Sequence, residues 1–153
     1  MSDSRSETYK HITAVRRLLA HIINELLVKS DDHDMSKLES PEVEIFDEFT
    51  TKLAGITYGS DEYKECLKQM KPALDHHYCV NNHHPEFFVK GIQGMTLVDL
   101  IEMLADWQSA SKRHVDGSIY KSIELNQKRF GYSDELKNIF LNTIDLFGEH
   151  DEN

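Results

Sequence analysis

Ile12, Val15, Leu19, Ile22 and Leu26 recur at alternating intervals of three and four residues. That spacing places all five on one stripe of a helix and on no single face of a strand. It predicts a long helix over Glu7–Lys29, with His11 on the face of Val15, Leu18 and Ile22 and His21 turned toward water. The same period governs the rest of the chain. Val43, Phe46, Phe49 and Leu53 mark an inner face after Ser40-Pro41-Glu42, which combines a capping residue, a first-turn proline and a first-turn acid. Ser60 to about Asn81 is helical by pattern and interrupted at Pro72, where a helix kinks or a second one begins. Leu97, Leu100, Ile101 and Leu104 make the most hydrophobic helix, opened by Thr96 with Asp99 three residues on, a short-acid capping box. Two more helices follow over Ser118–Phe130 and Ser133–Phe147, the first ended by Gly131 and the second carrying Ile139, Phe140, Ile144 and Phe147 inward.

No strand-like alternation, internal repeat or low-complexity tract interrupts this pattern. The expectation is an all-α chain: one compact helical domain over residues 1–153, of about six to seven helices, with 1–6 and 149–153 frayed.

Composition excludes several classes of function. A formal net charge of −10 lacks the basic footprint of non-specific nucleic-acid binding. No segment approaches the ~18 apolar residues of a membrane span, and Met1–Thr8 is polar, without the apolar region of a signal peptide. Cys66 and Cys79 do not make a disulfide framework, so a reducing, cytoplasmic setting is expected. The oddity is nine histidines, six of them within Asp31–Pro85 or on the inner face of the first helix.

Adjacent His33 and Asp34 put an imidazole nitrogen and a carboxylate oxygen within reach of one cation. His76, His77, His83 and His84 crowd nine residues. Each of His76/His83 and His77/His84 is separated by seven residues, a repeat that drifts only ~20° around a helix. Pro85 disfavours helical geometry at His84, so the second pair falls at the helix end or just past it. Asp106, ten residues into an apolar helix, asks for a partner because burying a carboxylate alone is costly; Asp99 is explained as a cap. Trp107 is expected in the core.

In their order along the chain these residues resemble the HD-domain superfamily of metal-dependent phosphohydrolases. They are a histidine on the first helix, the run His33-Asp34-Met35-Ser36-Lys37, further histidines, and an aspartate on a later helix. The resemblance implies an HD-domain-like fold and assigns His11, His33, Asp34 and Asp106 to one metal. Members with two metals add histidines between the pair and the last aspartate, here His77, His83 and His84, with His76 an alternative. Lys37, and Arg113 beyond Asp106, would neutralise a substrate phosphate, and Glu42 or Glu86 would act as general base. A divalent metal, one or two ions of Mn, Fe, Co, Zn or Mg, would activate water and polarise a phosphoryl oxygen.

The implied substrate is small and phosphorylated: a nucleotide monophosphate, triphosphate or cyclic form. Two other readings use the same ligands: a di-iron oxygenase, as in the inositol oxygenase branch, and a metal-stabilised binding protein without catalysis. The phrases T-Y-G-S-D-E-Y, P-A-L-D-H-H-Y, N-H-H-P-E-F-F, D-L-I-E-M-L-A-D-W and K-R-F-G-Y-S also resemble an uncharacterised family of bacteriophages and bacteria, which implies a host-cytoplasm location if phage-encoded.

Overall fold

The computed structural model describes residues 3–53, 56, 60–112 and 117–148. Among them are seven α-helices and no strand: α1 (Ser4–Asp32), α2 (Glu42–Leu53), α3 (Asp61–Gln69), α4 (Lys71–Val80), α5 (Leu97–Ser111), α6 (Ile119–Phe130) and α7 (Asp134–Ile144). The all-α expectation therefore stands. The chain divides into two compact units, one ending at His33 and the other starting at Asp34.

The first unit is α1, 29 residues long, capped by Asp3, whose side chain accepts from the Arg5 amide. It extends the expected helix by three residues at each end. The stripe from Ile12 to Leu26 falls within this helix, as expected. His33 is the residue that leaves the helix, at φ −52° and ψ 124°.

In the second unit, α5, α6 and α7 enclose the core: Met103, Leu104, Trp107, Ile119, Ile123, Tyr132, Phe140 and Ile144. Trp107 stacks parallel to Phe130 and meets Phe140 edge-on, with ring centroids 6.3 and 6.0 Å apart. Tyr132 closes the cluster by donating its hydroxyl proton to the Ile123 carbonyl, and burial pushes its pKa up to about 12. Two expected core residues are elsewhere. Leu97 is 76% exposed and Ile139 is 55% exposed. Leu97 is the first residue of its helix, where the 3.6-residue period continues past the packed layer; the buried face runs instead through Val98, Met103, Leu104 and Trp107.

Helix ends follow local chemistry. Thr96 and Asp99 form the full reciprocal capping box, with the Asp99 carboxylate accepting from both the amide and the hydroxyl of Thr96. Asp99 is only 4% exposed, and these bonds satisfy it. Gly131 ends α6 at φ 67°, and its amide donates to the Gln127 carbonyl, a left-handed cap that glycine adopts without strain. Pro72 begins a second helix rather than kinking a single one, in the first turn of α4 where its missing amide proton costs nothing. Of the expected turn between α2 and α3, only Ile56 and Ser60 lie within the described residues.

The site is positioned by a second layer. α2 packs on α4 and on the 3₁₀ turn Met35–Leu38, and the turn Pro85–Phe87 packs on α4.

Candidate metal centre

Asp34 opens the second unit with a backbone of φ 58° and ψ 11°. Left-handed geometry is uncommon for a side chain other than glycine, and aspartate is among the residues that tolerate it best. The conformation starts the Met35–Leu38 turn, in which the Lys37 amide donates to the Asp34 carbonyl at 2.9 Å. It also folds Lys37 back, so that its Nζ sits 2.5 Å from Asp34 Oδ2. Local backbone thus delivers a carboxylate and an ammonium to the same place.

Three imidazoles meet that carboxylate. His77 Nε2 and His83 Nε2 stand 3.3 and 3.4 Å from Asp34 Oδ1. His84 Nε2 is 2.9 Å from His77 Nε2. His77 is inside α4, whereas His84 is extended at φ −101° and ψ 130°, as the following Pro85 requires. Ligand atoms of Asp34, His77, His83 and His84 all lie within 4.8 Å of one another. Nitrogen and oxygen ligands at 2.0–2.1 Å in a tetrahedron are separated by about 3.3–3.4 Å. The two separations from Asp34 Oδ1, 3.3 and 3.4 Å, match that edge and the 2.9 Å between His77 and His84 is somewhat shorter; His77 and His83 are each only 2% exposed. The donor set fits a divalent cation.

Burial alone would raise the Asp34 carboxyl, but hydrogen bonding to His77, His83 and Lys37, together with the Lys37 charge, holds it well below the usual carboxylate range. Burial alone would lower His83; the carboxylates of Asp34, Glu102 and Asp106 overcome it and raise the ring to about 9. His84 goes the other way, to about 3, through burial first and then repulsion from His83 and His77. A neutral His84 keeps a lone pair for coordination, while His83 must release a proton to ligate.

Glu42 sits behind these ligands rather than among them. It is fully buried, with Oε1 2.7 Å from His76 Nδ1 and Oε2 2.9 Å from His77 Nδ1. Both oxygens of this expected general base are therefore engaged by imidazoles. Glu86, the other carboxylate considered for that role, is held by Arg129 at 2.5 Å. Asp106 is half-buried on α5, and one of its carboxylate oxygens comes within 4.8 Å of one from Asp34. His11 and His33 belong to the N-terminal unit, on α1 and at its C-terminal end. Arg113 lies outside the described residues.

One contributor escaped the sequence reading. Glu102 Oε1 lies 3.2 Å from His83 Nδ1. Its signal was helical spacing: it stands three residues after Asp99 and four before Asp106, on the acidic face of α5. Ser36 and Asn81 were also missed; Asn81 Nδ2 donates to Ser36 Oγ at 2.8 Å beside His77.

A helical protein with a buried histidine–carboxylate centre able to hold a metal is the class that this fold and site define. The chain belongs to a family of unknown function, DUF5662, which matches it over residues 1–146. No curated protein and no solved structure matches it.

Proposed function

We propose that the protein is a metal-dependent phosphohydrolase of the HD type, acting on a small phosphate ester or anhydride, with a nucleotide the favoured substrate. The observation that carries this reading is the convergence of the Asp34 carboxylate with three imidazoles beside a lysine. Three nitrogens and one oxygen suit Zn, Mn, Fe or Co better than Mg, which prefers an all-oxygen shell. A divalent ion held there supplies Lewis acidity, polarising a phosphoryl oxygen and acidifying water.

The chain's own groups do the rest. Asp34, His77, His83 and His84 would hold the ion, and Asp34 would offset part of its charge. Lys37, one-third exposed and hydrogen-bonded to Asp34 Oδ2, can swing from that oxygen to a substrate phosphate. Its ammonium then neutralises an anion that the chain's overall −10 charge would otherwise repel. Asp106 is a carboxylate beside the cluster that can accept a proton from water or hold a further ion.

Elemental analysis of protein purified without a histidine tag or added metal tests the first half. The expected result is one to two equivalents of a transition metal, lost in Asp34→Asn. Release of phosphate from a nucleotide panel tests the second half, with Asp34→Asn inactive and its helical circular dichroism retained. A protein that takes up no metal under any loading condition, or an Asp34→Asn variant with full turnover, overturns the reading. A coloured metal-loaded protein whose absorbance changes on oxidation would direct the assignment to the oxygenase branch instead.

A further inference from the structure

Both imidazoles facing Asp34 Oδ1 are backed on their far nitrogen by a glutamate. His77 Nδ1 lies 2.9 Å from Glu42 Oε2, and His83 Nδ1 lies 3.2 Å from Glu102 Oε1. Glu42 has no exposed surface, and its second oxygen is taken by His76 Nδ1 at 2.7 Å. A carboxylate enclosed to this degree must be met by donors or it would not remain buried.

We propose that Glu42 is a positioning residue: by accepting from His77 Nδ1 it selects the Nδ1–H form of that ring and aims the Nε2 lone pair into the Asp34–His84 cluster. An ionised carboxylate only accepts, so the proton of the neutral ring belongs on Nδ1. Competing neighbours do not change this. Asn81 Nδ2 is 3.0 Å from His77 Nδ1, but its two protons go to Ser36 Oγ and to the His77 carbonyl, at 2.8 and 2.9 Å. Ser36 Oγ, at 3.3 Å, is the more distant partner. With the proton on Nδ1, Nε2 meets His84 Nε2 and Asp34 Oδ1 as a bare lone pair. Lone pairs at that separation are accommodated by a shared cation, and an imidazole hydrogen-bonded through its other nitrogen to a carboxylate is the better ligand.

His76 takes a different part. Its side chain is 39% exposed and its ring engages the outer oxygen of Glu42, fixing the carboxylate from the solvent side. This explains why four clustered histidines bring only three to the centre.

The ligand role rests on the phosphohydrolase reading; the tautomer does not, and the two can fail separately. Histidine-labelled, metal-free protein is examined by long-range proton–nitrogen correlation on the alkaline side of the ordinary imidazole pKa. His77 is expected as the Nδ1–H form in the wild type. Glu42→Met, of similar length but without an acceptor, is expected to lose that preference and to bind Zn about 10–100-fold more weakly. A wild-type His77 protonated on Nε2 overturns the proposal, and that spectrum is decisive even if Glu42→Met does not fold. So does a folded Glu42→Met with unchanged tautomer and Zn affinity. The expected tautomers in a protein that binds no Zn at all would sustain the positioning and overturn the metal centre.

Discussion

His77 Nε2 and His84 Nε2 lie 2.9 Å apart, although one residue is inside α4 and the other is beyond its end. Seven residues of helix would have brought the side chains to one face, yet the pair meets because the chain turns back at Asn81 and extends before Pro85. The meeting is a product of helix termination as much as of helical period. It brings two ring nitrogens to one point, where either a proton or a metal ion must lie between them.

Removing the charge of Asp34 should dismantle the centre and spare the fold. Asparagine tolerates the left-handed backbone at φ 58° and keeps the side-chain shape. Asp34→Asn is expected to weaken metal binding by more than the about 10–100-fold of a supporting residue, with the helical spectrum unchanged. Equilibrium dialysis with Zn or Mn checks it.

Metal binding should depend on pH through His83. Its ring is raised to about 9 in the metal-free protein, so below that pH the ion must displace a proton. Affinity is expected to rise about tenfold per pH unit toward pH 9 and to level off above it. Calorimetry in buffers of different ionisation enthalpy should register close to one proton released near pH 7.

Metal-free stability should pass through a maximum near the ordinary histidine pKa. His83, raised to about 9 from 6.5, contributes stability that is complete below 6.5 and is lost as pH rises through 9. His84, depressed to about 3, contributes stability present above 6.5 and lost as pH falls toward 3; Asp34, also depressed, adds to the acid loss. The melting temperature of the metal-free protein is therefore expected to fall on both sides of about pH 6.5. A flat profile from pH 4 to 9 would contradict the proton sites assigned to these rings.

Two leucines of one helix should behave oppositely. Leu104 is 1% exposed within the α5–α6–α7 core, and Leu97 is 76% exposed. Leu104→Ala is expected to cost about 2–5 kcal/mol, and Leu97→Ala within about 0.5 kcal/mol. Urea melts of both variants check it, with metal content unaffected in the folded state of each.

Helix type and approximate limits were legible in the sequence because they depend on local terms. The three-and-four spacing of apolar residues, Pro72 in a first turn, the Thr96–Asp99 box and Gly131 at a left-handed cap all act within one or two turns of chain. The residue types of a metal centre were equally visible, since imidazole and carboxylate side chains carry their chemistry wherever they lie. Which of them face each other was decided by tertiary packing. His76 and His77 are neighbours in sequence and both meet Glu42, yet the packing of α2 on α4 leaves one toward solvent and brings the other to Asp34. Glu42 became a support for His77 because α2 places it behind the ring, 35 residues away along the chain. Glu102 was one acid among 27 until α5 brought it to His83. Periodicity specifies which side of a helix a residue is on; only the packing of helices against one another specifies what that side meets.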